Sequence, residues 1–268
     1  MDKYGKIGVV ITVLIIIAAI ISYTYFTSQG NSSNVSQDNQ PVSQAVLAQL
    51  YTIANNQTLA KAVGTGAVST FPASVTGNAL VTNGKPTILY IGAEYCPYCA
   101  ATRWAIALAL MRFGNFSSLS YMTSSASDAY PNTPTFTFYN STYSSSIINF
   151  VSVELYTNKV SNQTNYYAIL QTPAQWENKT MAKYGTSGSI PFIDFGNMSV
   201  QQGAPYSPGL IYRDTWPQII SQLGNANSSI SQSVIGATNI FTAQICRMTN
   251  FTPSRVCDAP YVKEVLAS

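Results

Sequence analysis

Residues 86–99 (PTILYIGAEYCPYC) constrain the fold of this chain more than any other segment. Residues 87–92 form a short, almost wholly apolar run rich in β-formers, which is typical of a central strand covered on both faces. Cys96 and Cys99 follow after a short turn, and residues 100–113 are rich in the good helix formers Ala, Leu, Met and Arg. The segment therefore predicts a strand, a tight turn and a helix that begins beside Cys96.

The rest of the chain continues this alternation of helices and strands. Pro41 is predicted to open a helix whose buried stripe is Val42, Val46, Leu50 and Ile53. Further strands are predicted at 119–123, 135–139, 147–156 and 189–197, loops at 128–134 and 140–146, and helices at 173–184, 215–223 and 229–248. This order predicts an α/β domain.

The composition excludes several classes of function. Only 9% of the 268 residues are charged and the net charge is +3 with no basic run, so nucleic acid is not an expected partner. The chain contains no histidine, which excludes Ser–His and Cys–His catalysis and any zinc site with a histidine ligand. With 46% hydrophobic residues, most of the chain is expected to fold.

The amino-terminal segment predicts a membrane anchor. Residues 7–26 carry no charge and match the roughly 20 residues that cross a bilayer as a helix. Two lysines within residues 1–6 place that end in the cytoplasm, so residues 27–40 form a polar linker and residues 41–268 an extracytoplasmic domain. A cleaved signal peptide is the alternative, but the run is long for one and no small-x-small cleavage site follows it.

Two compositional features agree with an exterior location. The low content of charged side chains suits an acidic medium, in which carboxylates are partly protonated and neutral polar groups stay soluble. Acceptor motifs for N-glycosylation predict a glycoprotein, although a sequence rich in Ser and Thr creates some of them by chance. Ten such motifs begin at Asn31, Asn34, Asn56, Asn115, Asn140, Asn162, Asn178, Asn197, Asn227 and Asn250.

The spacing of Cys96 and Cys99 points to thiol chemistry. At the amino terminus of a helix, free N–H groups and the positive end of the helix dipole favour a thiolate, so Cys96 is predicted to be the exposed nucleophile. Cys99, one turn further on, would resolve a mixed disulfide. A zinc knuckle is the alternative use of such a pair, but it needs two more ligands at short spacing, and the other cysteines lie 147 residues downstream or further.

The segment from Lys85 to Gly114, with its CPYC motif, resembles the active-site strand and turn of the thioredoxin superfamily. The segment SIPFIDFG resembles the second landmark of that superfamily, a cis-proline, which implies that Pro191 is cis and that Ile190 pairs with a substrate strand. The whole pattern is most similar to a membrane-anchored archaeal thioredoxin-like family catalogued as a domain of unknown function. The resemblance implies a thioredoxin-like domain with an insertion and a helical carboxy-terminal extension over residues 229–268.

The chain departs from thioredoxin in two respects. Thioredoxin has a buried Asp in the active-site strand where this chain has Tyr90, and Glu94, although close in sequence, is interpreted as a solvated surface carboxylate. About 90 residues separate Cys99 from Pro191, which predicts an insertion between the landmarks. The 18 tyrosines are interpreted as part of a surface with few charges rather than as a dedicated site.

Cys246 and Cys257 form a second, closely spaced pair. In an oxidising exterior they are predicted to form a structural disulfide that clamps the carboxy-terminal helices. The alternative is a relay that exchanges electrons with Cys96 and Cys99, which requires direct access between the two pairs.

Together these features predict a thiol–disulfide oxidoreductase that acts on secreted or surface proteins and needs no metal or organic cofactor. The sequence does not distinguish an oxidase from a reductase or an isomerase, since that depends on reduction potential and redox partner. One alternative is a non-catalytic binding or envelope protein with an inert disulfide, which a buried Cys96 would favour. The other is a chaperone for Cu(I), an ion that soft thiolates select.

Overall fold

The computed structural model describes residues 37–267. The predicted anchor, residues 7–26, and the linker up to residue 36 lie outside this range. Within residues 37–267, no helix has both the length and the apolar content needed to cross a membrane. The last residues of the predicted linker belong to the folded domain, because the Asp38 carboxylate accepts a hydrogen bond of 2.7 Å from the Thr123 N–H.

A mixed six-stranded sheet forms the centre of the domain. Its strands follow the order β1, β10, β9, β3, β2, and β6 also pairs with β3. The β3–β6 pair is parallel and the other pairs are antiparallel. These strands are β1 (Ala73–Ser74), β2 (Val81–Thr82), β3 (Lys85–Gly92), β6 (Asn149–Glu154), β9 (Phe192–Phe195) and β10 (Ser199–Gln202).

Two antiparallel ribbons flank this sheet. The first joins β4 (Asn115–Thr123) to β5 (Pro134–Ser144), and the second joins β7 (Tyr156–Val160) to β8 (Tyr167–Ile169). The β5 strand continues through residues that the sequence analysis predicted to be a loop. Its outer half alternates between half-buried and exposed polar residues, so the strand is held by pairing with β4 rather than by an apolar pattern.

Eight helices surround the strands within the described range. They are α1 (Gln44–Ala54), α2 (Gln57–Val63), α3 (Pro97–Leu110), α4 (Gln175–Tyr184), α5 (Trp216–Leu223), α6 (Ser229–Met248), α7 (Ser254–Cys257) and α8 (Pro260–Ala267). The α/β class predicted from the sequence is therefore confirmed in its coarse form, as a mixed α/β domain.

The first helix differs from its prediction in both its start and its buried face. It begins at Gln44, because the Ser43 hydroxyl caps it by accepting from the Val46 N–H. Val42 lies outside the helix and donates its backbone N–H to β4. Leu47, Leu50 and Ala54 form the buried face of the helix, whereas the predicted Val46 and Ile53 are only half-buried.

Helix α3 lies at the centre of the core. Every residue of α3 except Tyr98 is buried, and α6 and β5 are the elements that make the most contacts with this helix. The Trp104 indole N–H donates to the Pro134 carbonyl at 2.9 Å, which ties α3 to β5. This burial fixes α3 rigidly, and with it the two cysteines at its amino terminus.

Candidate active site around Cys96 and Cys99

The turn between β3 and α3 places the two cysteines as the sequence predicts. Cys96 has extended backbone angles and is the N-cap of α3, and Pro97 occupies the first turn. The Cys99 N–H donates to the Cys96 sulfur at 3.2 Å, and both residues are free thiols. The two sulfur atoms are therefore held within one helical turn of each other.

The two thiols have opposite electrostatic environments. Hydrogen bonds from Cys99 hold the pKa of Cys96 below its ordinary value, which outweighs the effect of burial, and the Arg103 guanidinium adds to this lowering. Burial raises the pKa of Cys99 well above its ordinary value. Cys96 is therefore the residue of the pair that forms a thiolate first.

The expected exposure of Cys96 is wrong. Its relative accessibility is 5% and that of Cys99 is 0%. The neighbouring residue Tyr95 packs against the pair, as do Tyr156 and Ile190 from elements that are distant in sequence. A protein disulfide reaches the Cys96 sulfur only through a narrow opening or after this covering layer moves.

A group of tyrosines forms part of that covering layer. The rings of Tyr95 and Tyr167 are stacked, with centroids 4.0 Å apart, and the Tyr166 hydroxyl lies 3.3 Å from that of Tyr95. Tyr156 packs edge-on against Tyr166, and its carbonyl accepts from the Glu94 N–H at 2.9 Å. We call these four residues the tyrosine wall. The sequence analysis missed it, because three of its members lie on the β7–β8 ribbon, far from the cysteines in the chain.

Ile190 and Pro191 lie on another side of the cysteine pair. The peptide bond between them is cis, as the resemblance implies. Pro191 is buried and Ile190 is half-buried against the cysteines. The structure thus brings together Cys96, Cys99 and the two residues predicted to bind substrate.

Glu94 is buried, which corrects its interpretation as a surface carboxylate. Its relative accessibility is 3%, and the Thr137 hydroxyl donates to it at 2.7 Å. Burial raises the pKa of Glu94 to about 7, because one hydrogen bond does not replace the lost hydration of the charged form. A proton-binding group with a pKa close to neutrality therefore lies two residues before Cys96.

A buried ion pair lies beneath the same turn. Arg103 donates to both carboxylate oxygens of Glu154, at 2.8 and 2.5 Å, and to the Ala93 carbonyl at 2.8 Å. Both charged side chains are fully buried. The Arg103 guanidinium lies 5.8 Å from the Tyr90 ring centroid, and the buried Tyr90 hydroxyl has no hydrogen-bond partner. Tyr90, which stands where the resemblance implies an Asp in thioredoxin, therefore lies beside a buried ion pair and carries no carboxylate itself.

The second cysteine pair is a disulfide, as predicted. Cys246 and Cys257 are bonded, and their accessibilities are 0% and 1%. Cys246 follows Thr242 by one turn of α6, and Thr242 accepts a hydrogen bond from Arg112, just beyond the carboxy terminus of α3. The two pairs therefore lie near opposite ends of a helix about 20 Å long, which argues against direct exchange between them.

Within residues 37–267, no group of three or more Cys, Asp or Glu side chains is arranged to hold a metal ion. Cys96 and Cys99 therefore offer at most two thiol sulfurs to a metal ion at this site, as far as the described residues are concerned.

A family model described as "Domain of unknown function (DUF929)" matches residues 72–247, which includes the cysteine turn, the tyrosine wall and the segment at Pro191. No curated protein and no solved structure matches the chain.

Proposed function

We propose that this chain, which belongs to the DUF929 family, is a thiol–disulfide oxidoreductase with Cys96 and Cys99 as its redox pair. The proposal rests on the opposite pKa shifts of the two thiols at the amino terminus of α3. Cys96 is favoured as a thiolate and Cys99 is held protonated, which separates the roles of attacking and resolving residue.

The proposed reaction moves two electrons and forms one disulfide. The Cys96 thiolate attacks one sulfur of a substrate disulfide, the substrate S–S bond breaks, and the released thiolate takes a proton. Cys99 then loses its proton and attacks the Cys96 sulfur, which breaks the mixed disulfide and releases the second substrate thiol. The substrate is reduced and the Cys96–Cys99 pair is oxidised, and the reverse sequence oxidises a substrate dithiol. The positive charge of Arg103 stabilises each thiolate as it forms.

We further propose that the domain is thioredoxin-like. The support is the order of its elements around the site. A central strand leads through a CxxC turn into a buried helix, a parallel strand pairs on it, and the Pro191 segment precedes the antiparallel pair β9–β10. This arrangement resembles that of the thioredoxin superfamily. The residues between Cys99 and Pro191 form the proposed insertion, and they include the ribbon that carries most of the tyrosine wall.

The proposed substrates are secreted or surface proteins. In this proposal, residues 7–26 anchor the domain on the outside of the cell, where such proteins occur. The rim of the site suits them, since Tyr98 and Tyr166 are 44% and 48% exposed and offer neutral, amphipathic contact surface. Ile190 is proposed to pair with the substrate backbone. No organic cofactor, metal or nucleic acid takes part in the proposed function.

One observation favours a second candidate function. The burial of Cys96 is the property expected of a binding or envelope protein whose cysteine pair is inert. Reduction potential separates the two candidates, because structural disulfides have much lower potentials than catalytic ones.

The test is the reduction potential of the Cys96–Cys99 pair in the full-length protein. The purified chain is equilibrated in redox buffers, alkylated, and analysed by peptide mass spectrometry. We expect a reversible value between about −120 and −270 mV. A value below about −300 mV would favour the inert pair. The Cys246–Cys257 disulfide, resolved in the same spectra, is the internal reference for a structural bond.

A further inference from the structure

The domain contains a second fully buried arginine, and it lacks the partner that the first one has. Arg112 follows α3 and is 2% exposed. Its guanidinium donates to the Ala54 carbonyl at 2.7 Å, the Thr242 hydroxyl at 2.8 Å and the Asn239 side-chain oxygen at 2.9 Å. All three acceptors are neutral. Among residues 37–267, the one ion pair formed is that of Arg103 with Glu154.

These acceptors leave the charge of Arg112 only partly compensated. A buried cation is stable when it is paired and hydrogen-bonded. The Ala54 carbonyl, at the carboxy terminus of α1, contributes part of a helix dipole worth about half a charge. Three of the five N–H groups of the guanidinium are used, which leaves one on each terminal nitrogen. The Tyr261 ring, 4.9 Å from the guanidinium carbon, covers one face of it.

A cavity of about 150 Å³ lies beside the Arg112 side chain. Arg112 lines it together with Arg255, Gln57 and Tyr261, and no acidic residue does. Arg255 is exposed and belongs to the mouth of the cavity. The Gln57 amide nitrogen uses one N–H for the Arg255 carbonyl at 3.1 Å and has a second one to offer.

We propose that this cavity binds a small oxyanion, such as sulfate or phosphate, between Arg112 and Arg255. Guanidinium groups bind oxyanions with paired, charge-assisted hydrogen bonds, which the two remaining N–H groups of Arg112 and the side chain of Arg255 supply. A cavity of similar volume in another protein holds benzene, so a tetrahedral anion fits and a nucleotide does not.

The disulfide helps to form this site. Cys257 is two residues after Arg255, and its bond to Cys246 ties α7 to α6, the helix that carries Asn239 and Thr242. The disulfide thus holds the mouth of the cavity against its inner wall. Anion binding here does not depend on thiol chemistry at Cys96, so the two proposals stand or fall separately.

The test follows the thermal unfolding of the full-length protein during titration with sodium sulfate or sodium phosphate, against sodium chloride at matched ionic strength. We expect a saturable rise in Tm with each oxyanion and not with chloride, as for a ligand that binds only the folded state. Arg255→Gln, a change at an exposed residue, is expected to weaken binding about tenfold, since it removes one charge-assisted contact. Arg213→Gln, an exposed arginine outside the cavity, is the control and is expected to bind as the wild type does.

A different result would overturn the proposal. Sulfate and phosphate also stabilise proteins without binding them, because they are excluded from the protein surface. If Tm rises without saturation and equally in wild type, Arg255→Gln and Arg213→Gln, exclusion accounts for the whole effect and the cavity is not an anion site. Equilibrium dialysis with radiolabelled sulfate gives the second measurement, and the absence of saturable uptake by the wild type would refute the site directly.

Discussion

Replacing Glu94 by glutamine will change how the stability of the domain depends on pH. The Glu94 side chain is buried and accepts one hydrogen bond, from Thr137. Glutamine has the same shape and keeps an oxygen for that hydrogen bond, but it carries no charge at any pH. The substitution therefore isolates the cost of ionising this one carboxyl group inside the fold.

The sign and size of the effect follow from the pKa of Glu94. Its pKa rises from the ordinary value of 4.5 to about 7 in the folded domain because of burial. The folded state thus holds a proton that the unfolded state releases, and stability falls as pH increases between these two values. Each pH unit in this window costs about 1.4 kcal/mol, so the total loss is about 3 kcal/mol. Below pH 4.5 both states are protonated and the penalty is absent.

The assay is chemical denaturation of the full-length wild type and of Glu94→Gln at pH values from 4 to 8. We expect the free energy of unfolding of the wild type to fall relative to that of the variant by about 3 kcal/mol across this range, with most of the change between pH 4.5 and 7. Glu264→Gln, on the exposed surface of α8, is the control. Parallel curves for wild type and Glu94→Gln would refute the reasoning.

Three further outcomes are expected. Iodoacetamide will modify Cys96 with a midpoint below that of an ordinary cysteine thiol, and Tyr156→Ala will raise the rate of modification, as peptide mass spectrometry will show; an unchanged rate would contradict the covering role of the wall. Cys246→Ser will lower the free energy of unfolding by about 3 kcal/mol and leave disulfide exchange at Cys96 intact. Loss of exchange at unchanged stability would instead favour a relay between the two cysteine pairs. Gly236→Ala will lower the free energy of unfolding by about 1–3 kcal/mol in denaturant melts, because the added Cβ would lie 2.4 Å from a carbonyl oxygen. Gly224→Ala, whose added Cβ would lie 3.8 Å from the nearest atom, is the control, and equal losses of stability in the two variants would contradict this reasoning.

A second buried carboxyl group gives the stability of the domain the same dependence on pH as Glu94 does. Asp194 lies in the central strand β9, is fully buried, and has its pKa raised to about 6 by burial. Like Glu94, it destabilises the folded state as pH rises towards neutrality. The acidic residues of the chain therefore include two whose ionisation destabilises the folded state near neutral pH.

Local sequence patterns determined the elements that carry Cys96 and Cys99. The apolar run of β3, the CPYC turn and the helix formers of α3 act through backbone propensity and short-range hydrogen bonds, so they are readable within about 25 residues of chain. The bounds of α6 follow its sequence pattern for the same reason. The Cys246–Cys257 bond was predictable as well, because only ten residues separate the two cysteines.

Only the tertiary structure decided how the site is surrounded. Residues that lie far away in the chain bury Cys96 and Glu94 and pair Glu154 with Arg103. Distant residues likewise give Arg112 its neutral acceptors in place of a carboxylate. Periodicity shows which face of an element is apolar, but it does not show which distant element covers that face. The desolvation that sets the pKa of a thiol or carboxyl group comes from that covering element. For this reason the sequence predicted the position of Cys96 at the start of a helix, and the packing of distant segments set its exposure and its electrostatic environment.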